Sequence, residues 1–325
     1  MRIVSLIPSG TEMLGMIGAL DSLVGRSHEC DHPPGVESVP ILTAQKTHFD
    51  PDSGIDASAI DAQVRQALNS GESLYRLDTQ GFASLDPDVI VTQSLCSVCS
   101  IDANAVRAVV EAMDSKPRII ELSAKSIEEI FDEMLMLGNA IRLEDNAVHA
   151  VVALKQRMDR AQEHINPYID GPVVGFMEWT DPIFVAGHWT VQLIERAGGQ
   201  HPLNRTVILP GSGAAAGPQQ AQRIAGHSIA VDPQTFVDSK PEYLVIAPCG
   251  LTLEQSRMEA DRLYETCSWF RELPAVVNHR VAIVDGNQMF NRPGPRVVDA
   301  QEFLVGWLND CEHLIPKDFP WERYK

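Results

Sequence analysis

The feature that most constrains the fold of this chain is a repeated alternation of short apolar runs with amphipathic stretches, punctuated by proline, glycine and small polar residues. Residues 3–7 (IVSLI) end at Pro8-Ser9-Gly10, and Met13, Leu14, Ile17 and Leu20 then recur at helical spacing after Thr11-Glu12. Further strand signals lie at 23–26, 88–92 (DVIVT) and 118–122 (RIIEL), with helical patterns at 56–68 and 103–113 between them. Strands that alternate with helices predict a parallel sheet, because a crossover is needed to return the chain in the same direction.

From 126 to 165 the pattern stays helical, with a break predicted near Leu143-Glu144-Asp145. The second piece, about 20 residues at ~1.5 Å each, would span roughly 30 Å, the width of a small domain. Alternation then resumes, with strands predicted at 173–177, 243–247 and 281–284 and helices at 191–197, 253–264 and 297–308. Segments 84–97 (SLDPDVIVTQSLCS) and 237–250 (VDSKPEYLVIAPCG) echo one another in proline, acid, apolar run and cysteine, as though one plan were used twice. At 325 residues the chain is too long for one ordinary core. The expectation is an α/β fold of two Rossmann-like lobes with parallel sheets: an N-terminal lobe at 1–125, a helical spine at 126–168, and a C-terminal lobe at 169–325 with its final helix packing back.

Charge and composition exclude several classes of partner. A formal net charge of -18 repels phosphate backbones and anionic lipid, so nucleic acid is not an expected ligand. No stretch approaches the roughly 20 apolar residues of a membrane span, and a strand pattern already begins at Arg2. The chain is therefore expected to be soluble: cytoplasmic if Met1 is the native start, periplasmic or otherwise extracytoplasmic if a leader has been removed. Six cysteines are too sparse for a disulfide scaffold and read as reduced thiols. There is no GxSxG elbow, Walker loop, GxGxxG fingerprint or HExxH pair, so binding rather than catalysis is expected. The glycine-rich stretch 211–218 lacks a phosphate-cradling lysine and reads as a mobile loop near the mouth of a cleft.

In open parallel sheets ligands bind beyond the carboxyl ends of the strands. That rule selects Pro8, Ser9, Thr11 and Glu12 after the first run, then His28, Glu29 and Cys30, then Gln93 and Cys96. In the second half it selects Glu178, Trp179 and Asp181, then Gly187, His188 and Trp189, then Cys249, then Phe290, Asn291 and Arg292. A neutral imidazole at His28 suits a cobalt or iron centre, although His28-Glu29-Cys30-Asp31-His32 also reads as a polar turn. Cys96 and Cys99 form a CxxC that is half of a zinc site, a redox pair, or two small residues filling a tight loop. Trp179, His188, Trp189 and Phe290 follow glycine and proline punctuation and present flat faces suited to a macrocycle, unless they plug their own lobe. Glu12, Glu178 and Asp181 either accept amide N–H groups of a ligand, bind a docking arginine, or cap local structure. Arg292 either clamps an anionic group or pins the last helix.

The segments RIVSLIPSGTEML, LVGRSHECDHP, LDPDVIVTQ, EWTDPIFVAGHW and VAIVDGNQMFNRPGPRVVDA resemble, in order and over nearly the whole chain, the ABC-transporter substrate-binding proteins for cobalamin, siderophores and haem. The branch they are most similar to is the one described as cobalamin-binding. The resemblance implies a class III periplasmic-binding-protein-like arrangement in which two lobes joined by a long helix sandwich a ligand. It implies a protein that binds cobalamin or a related corrinoid, with an ABC-transporter permease as partner; an iron chelate, siderophore or haem, is the alternative within the family. A monomer is expected, and for a corrinoid His28 is the candidate cobalt ligand. A reading from another class is a metal-handling or redox protein with Cys30, Cys96, Cys99, Cys249 and His28 around zinc, iron or an iron–sulfur cluster. An enzyme that modifies a corrinoid would share the same pocket.

Overall fold

The protein is described by a computed structural model covering residues 1–46, 56–70, 73–93, 103–212 and 222–325. It divides into two compact units, one formed by Met1–Ser53, Ala59–Ala124 and Glu128–Ala153, the other by Gly54–Ser58, Lys125–Ile127 and Leu154–Lys325.

The first unit opens with β1 (Ile3–Ser5), α1 (Pro8–Ile17) and β2 (Leu23–Arg26), continues through β3 (Thr43–Gln45), α2 (Ala57–Ser70), β4 (Tyr75–Leu77) and α3 (Thr79–Leu85), and adds β5 (Val89–Gln93), α4 (Ala103–Ala112) and β6 (Arg118–Leu122). Its main sheet is parallel throughout, in the order β2-β1-β5-β6. The two central strands, β1 and β5, are buried along their whole length, as strands covered on both faces must be. That explains why they read as unbroken apolar runs rather than alternating ones. Proline suits the first turn of α1, where its missing N–H has no partner to lose, and Gly18 at φ 84° closes the helix in the left-handed conformation. The core gathers Val4, Leu6, Leu42, Phe82, Ile90, Val106 and Met113.

The helical stretch resolves into α5 (Ile127–Ala140) and α6 (Glu144–Gln162), with the break where the sequence predicts it. On α6, Ala147, Val151, Leu154, Met158 and Ala161 form one buried stripe at helical spacing. Arg157 forks onto α12 (Val297–Leu308), donating from Nε to Glu302 Oε1 at 2.9 Å and from Nη2 to Asp299 Oδ1 at 2.6 Å. These charges raise its pKa further, chiefly through the Glu302 hydrogen bond.

The second unit carries β7 (Val174–Thr180), β8 (Ile183–Val185), α7 (His188–Arg196), β9 (Val207–Ile208), β10 (Arg223–Ile224), β11 (Ile229–Val231), α8 (Pro233–Asp238), β12 (Tyr243–Ile246), α9 (Leu253–Thr266), α10 (Ser268–Arg271), α11 (Pro274–Val277), β13 (Val281–Val284), α12 and β14 (Trp321–Tyr324). Its six-stranded sheet runs β11-β8-β7-β12-β13-β14. Strands β7, β12 and β13 are parallel, as predicted, but β8, β11 and β14 run antiparallel to their neighbours. Only two residues, Asp181 and Pro182, separate β7 from β8, so they can form a hairpin but not a crossover. Strand β14 was outside the sequence prediction.

Its core joins Met177, Phe236, Leu244, Ile246, Leu263, Phe270 and Ile283. A second aromatic layer centres on Phe303, stacked on Phe319 at 4.5 Å between ring centroids and on Trp307 at 5.8 Å. Phe290 meets Phe176 edge-on at 5.0 Å and Phe303 at 6.3 Å. These rings pack the final helix and final strand onto the sheet.

Candidate functional site

Most of the predicted residues follow parallel strands of their own sheet, but Gly187, His188 and Trp189 follow β8, which runs antiparallel to β7, so the rule for parallel strands that selected them does not apply to them. In the first unit, Arg26 ends β2 and is buried, with its guanidinium donating to the carbonyls of Cys30 at 2.8 Å, Val39 at 3.1 Å and Ser27 at 3.2 Å. This holds the 27–30 turn as a fixed loop. His28 is half-buried, and both its backbone N–H and its ring Nδ1 lie against the Thr43 hydroxyl, at 3.0 and 2.7 Å. Thr43 Oγ1 also lies 3.0 Å from Ser27 Oγ, so the hydroxyl pair engages the His28 ring through Nδ1 and Nε2 is the nitrogen on the far side of the ring. Burial, with Arg26 adding to it, lowers the His28 pKa, so the ring is neutral at physiological pH. A neutral imidazole whose far nitrogen is oriented by a hydrogen bond is the form that binds a transition metal.

Tyr75 completes this corner, its hydroxyl 3.3 Å from Glu29 Oε1 and its ring 5.6 Å from that of His28. The other predicted residues lie deeper. Ser9, Thr11 and Glu12 are buried on α1, Cys30 lies under the Thr11 hydroxyl at 3.0 Å, and Gln93 is buried at the end of β5. Pro8 is half-buried at the start of α1. Cys96 and Cys99, and most of the glycine-rich stretch 211–218, fall outside the described residues.

In the second unit, Glu178 sits at an irregularity where the pairing of β7 with β8 slips between Met177 and Trp179. Such a bulge re-aims a side chain. The carboxylate accepts the Gly187 N–H at 3.2 Å on Oε1 and the Ser228 hydroxyl on Oε2, and its pKa is pushed up to about 7 by burial, partly offset by those two bonds. Gly187 is where the chain passes closest to the 226–228 segment, since a Cβ there would lie 2.2 Å from the Ser228 nitrogen. The His188 N–H binds the Gly226 carbonyl at 2.8 Å, and the Asn204 amide bridges the carbonyls of Ala186 and His227 at 2.8 and 3.0 Å.

Helix α7 begins at His188, three residues earlier than the sequence predicts, so His188 and Trp189 occupy its first turn rather than a loop. Their rings stack, 5.8 Å apart and 18° from parallel. The Trp189 indole N–H donates to the Phe290 carbonyl at 2.6 Å, and both Trp189 and Phe290 are buried. Phe290 is in a turn at φ 66°, where its ring joins the aromatic core. Trp179 is half-buried, its N–H bonded to the Asp181 carbonyl at 3.1 Å. Asp181 stands half-exposed with Arg262 at 3.9 Å.

Asn291 spans the carbonyls of Ala247 and Gly286, and Arg292 is buried beside Asp285. Cys249 is exposed in the turn after β12, its N–H bonded to the Glu178 carbonyl at 3.0 Å. Sequence reasoning missed Thr43, Tyr75, Asn204 and Ser228. Each is a single polar residue outside any motif, and no sequence signal marks it.

Among the described residues no group of three or more His, Cys, Asp or Glu is arranged to hold a metal ion, and no helix is long and apolar enough to cross a membrane. The chain belongs to the periplasmic binding protein family, whose profile matches residues 3–287. The family comprises substrate-binding proteins that work with ABC-transporter permeases on small-molecule ligands; they are not enzymes. Solved structures share the fold. A periplasmic heme-binding protein from Pseudomonas aeruginosa is 17% identical, with 95% of this chain and 92% of that one covered at a TM-score of 0.66. The periplasmic heme-binding protein RhuT from Roseiflexus sp. RS-1 is 19% identical, with 95% and 98% covered at 0.66. The periplasmic vitamin B12-binding protein BtuF of Vibrio cholerae is 17% identical, with 96% and 97% covered at 0.60. No curated protein matches the chain.

Proposed function

We propose that this protein binds cobalamin or a related corrinoid and delivers it to a transporter permease. The observation that carries the reading is His28: a half-buried ring whose burial favours the neutral form, held at Nδ1 by the Thr43 hydroxyl, so that Nε2 is the nitrogen to offer cobalt. Within the second unit, the half-buried rings of Trp179 and of His188, which is stacked on the buried Trp189, suit a flat ligand, at about 0.5–1.5 kcal/mol per ring beyond area burial. The likeness to a vitamin B12-binding protein is compatible with this, and the likeness to heme-binding proteins supports haem as the second reading.

Calorimetric titration of the metal-free protein with cobalamin, haem and a ferric siderophore in turn decides among them. Cobalamin binding at about 1 μM or tighter, with haem weaker by tenfold or more, supports the corrinoid. The reverse order moves the ligand to haem. His28→Ala is expected to abolish any shift of the corrin absorption band on binding, while quenching of tryptophan fluorescence persists at higher cobalamin concentration. An unchanged band shift in the variant removes His28 from the cobalt.

A further inference from the structure

Glu178 does something that its position on a strand end does not require. It leaves the β7–β8 pairing at the bulge and bonds two backbone segments that are far from each other in sequence, the N-terminus of α7 at Gly187 and the 226–228 segment at Ser228. Gly187 has no capping side chain of its own, so the Glu178 carboxylate satisfies an N–H at the start of α7, where negative charge is favoured. The absence of a Cβ at Gly187 lets the two segments touch. Asn204 is a second brace across the same seam, from a neutral side chain. Directly beyond the seam stand His188 and Trp189.

We propose that Glu178 is the positioning residue that latches the 187–189 turn to the 226–228 segment and so presets the His188–Trp189 pair for ligand. The part that concerns ligand rests on the function proposed above. The latch itself does not.

The pH dependence of the latch follows from the environment. Burial is the largest influence on Glu178 and favours the neutral acid; the Ser228 and Gly187 hydrogen bonds act in the opposite direction, and no charged side chain is among the causes. Titratable residues on the surrounding elements are Asp181 beyond the end of its own strand, His188 on the α7 turn, His227 on the segment opposite, and Cys249, whose N–H binds the Glu178 carbonyl. A group whose folded pKa is raised contributes its stabilisation fully at low pH and loses it as pH rises through the folded value, here about 7. The Ser228 hydroxyl and the Gly187 N–H both donate to the carboxyl group. The ionised form, in a partly buried position, is better hydrated when the turn opens and lets water in.

The test is amide hydrogen exchange at Gly187, His188 and Ser228 in the ligand-free protein, corrected for intrinsic chemical rates, from about pH 5.5 to about 8.5. Wild type is expected to lose protection at these amides by about tenfold as pH rises from about 5.5, levelling off near 7. Glu178→Gln, a permanently neutral side chain of the same length, is expected to stay protected and flat with pH. Ser228→Ala removes a bond that holds the pKa down, so the loss should level off at a higher pH. Asn204→Ala should lower protection at every pH but keep the step. A flat wild-type profile, or a step that survives in Glu178→Gln, overturns the latch. Cobalamin affinity over the same range is measured separately: it should fall with rising pH in wild type and stay level in Glu178→Gln. Failure of cobalamin to bind at all would reject the proposed ligand and leave the exchange result standing.

Discussion

Phe303→Ala is expected to lower the unfolding free energy of the second unit by about 3–5 kcal/mol, the range for truncating a fully buried phenylalanine. The ring is completely buried and sits at the centre of an aromatic layer, stacked on Phe319 at 4.5 Å and on Trp307 at 5.8 Å, and edge-on to Trp321 at 5.0 Å. The three remaining rings, Phe319, Trp307 and Trp321, cannot collapse into the space that Phe303 leaves, so the cavity persists and its cost adds to the lost burial. Two elements should suffer together, α12 and β14, since this layer joins them to the sheet. Denaturant unfolding followed by tryptophan fluorescence measures the loss. A change below about 1 kcal/mol would mean that the layer repacks freely.

The second large effect is expected at Gly187→Ala. A methyl there would lie 2.2 Å from the Ser228 nitrogen and 2.5 Å from the His227 carbonyl carbon, both backbone atoms that cannot rotate aside. The backbone angles at Gly187 are ordinary, φ -127° and ψ -179°, so the cost comes from contact alone and not from conformation. Forced separation of the two segments should cost about 1–3 kcal/mol of stability. It should also break the Glu178 bridge and displace Trp189, whose indole bond to the Phe290 carbonyl fixes the first turn of α7. Cobalamin affinity is expected to fall tenfold or more in a variant that remains folded. A folded Gly187→Ala protein with wild-type affinity would remove this seam from the binding site.

Much of the fold was legible because it depends on periodicity. The strands at 23–26, 118–122 and 281–284 and the helix at 297–308 stand where the pattern of apolar residues sets them, and the break between α5 and α6 falls as expected. Antiparallel additions were less legible. Strand β14, with sequence WERY, is short and lies at the edge of the sheet, where Trp321 and Glu322 are both half-buried and no alternation shows. Glycine before His188 suggested a loop. In the fold Gly187 is instead the residue before a helix, chosen for closeness to a neighbouring backbone, so the rings after it turn partly inward.

The candidate site was legible as a set of loops but not as a set of contacts. Glu178 reads in sequence as an acid beside a tryptophan, and nothing there indicates Ser228, 50 residues later, as its partner. His28 is a similar case, because Thr43 is an unremarked threonine until β3 brings its hydroxyl to within 2.7 Å of the ring. Residue type identified which groups can do chemistry; tertiary contacts decide which nitrogen of His28 is left to do it.

The central claim is that this binding protein holds a corrinoid with His28 at the cobalt. The most direct measurement is a titration of the metal-free protein with cobalamin, in which visible absorption and tryptophan fluorescence are recorded on the same sample. Saturable quenching accompanied by a shift of the corrin band, with the shift lost in His28→Ala, is the predicted result. Absence of saturable quenching or band shift at cobalamin concentrations up to about 1 mM would contradict it.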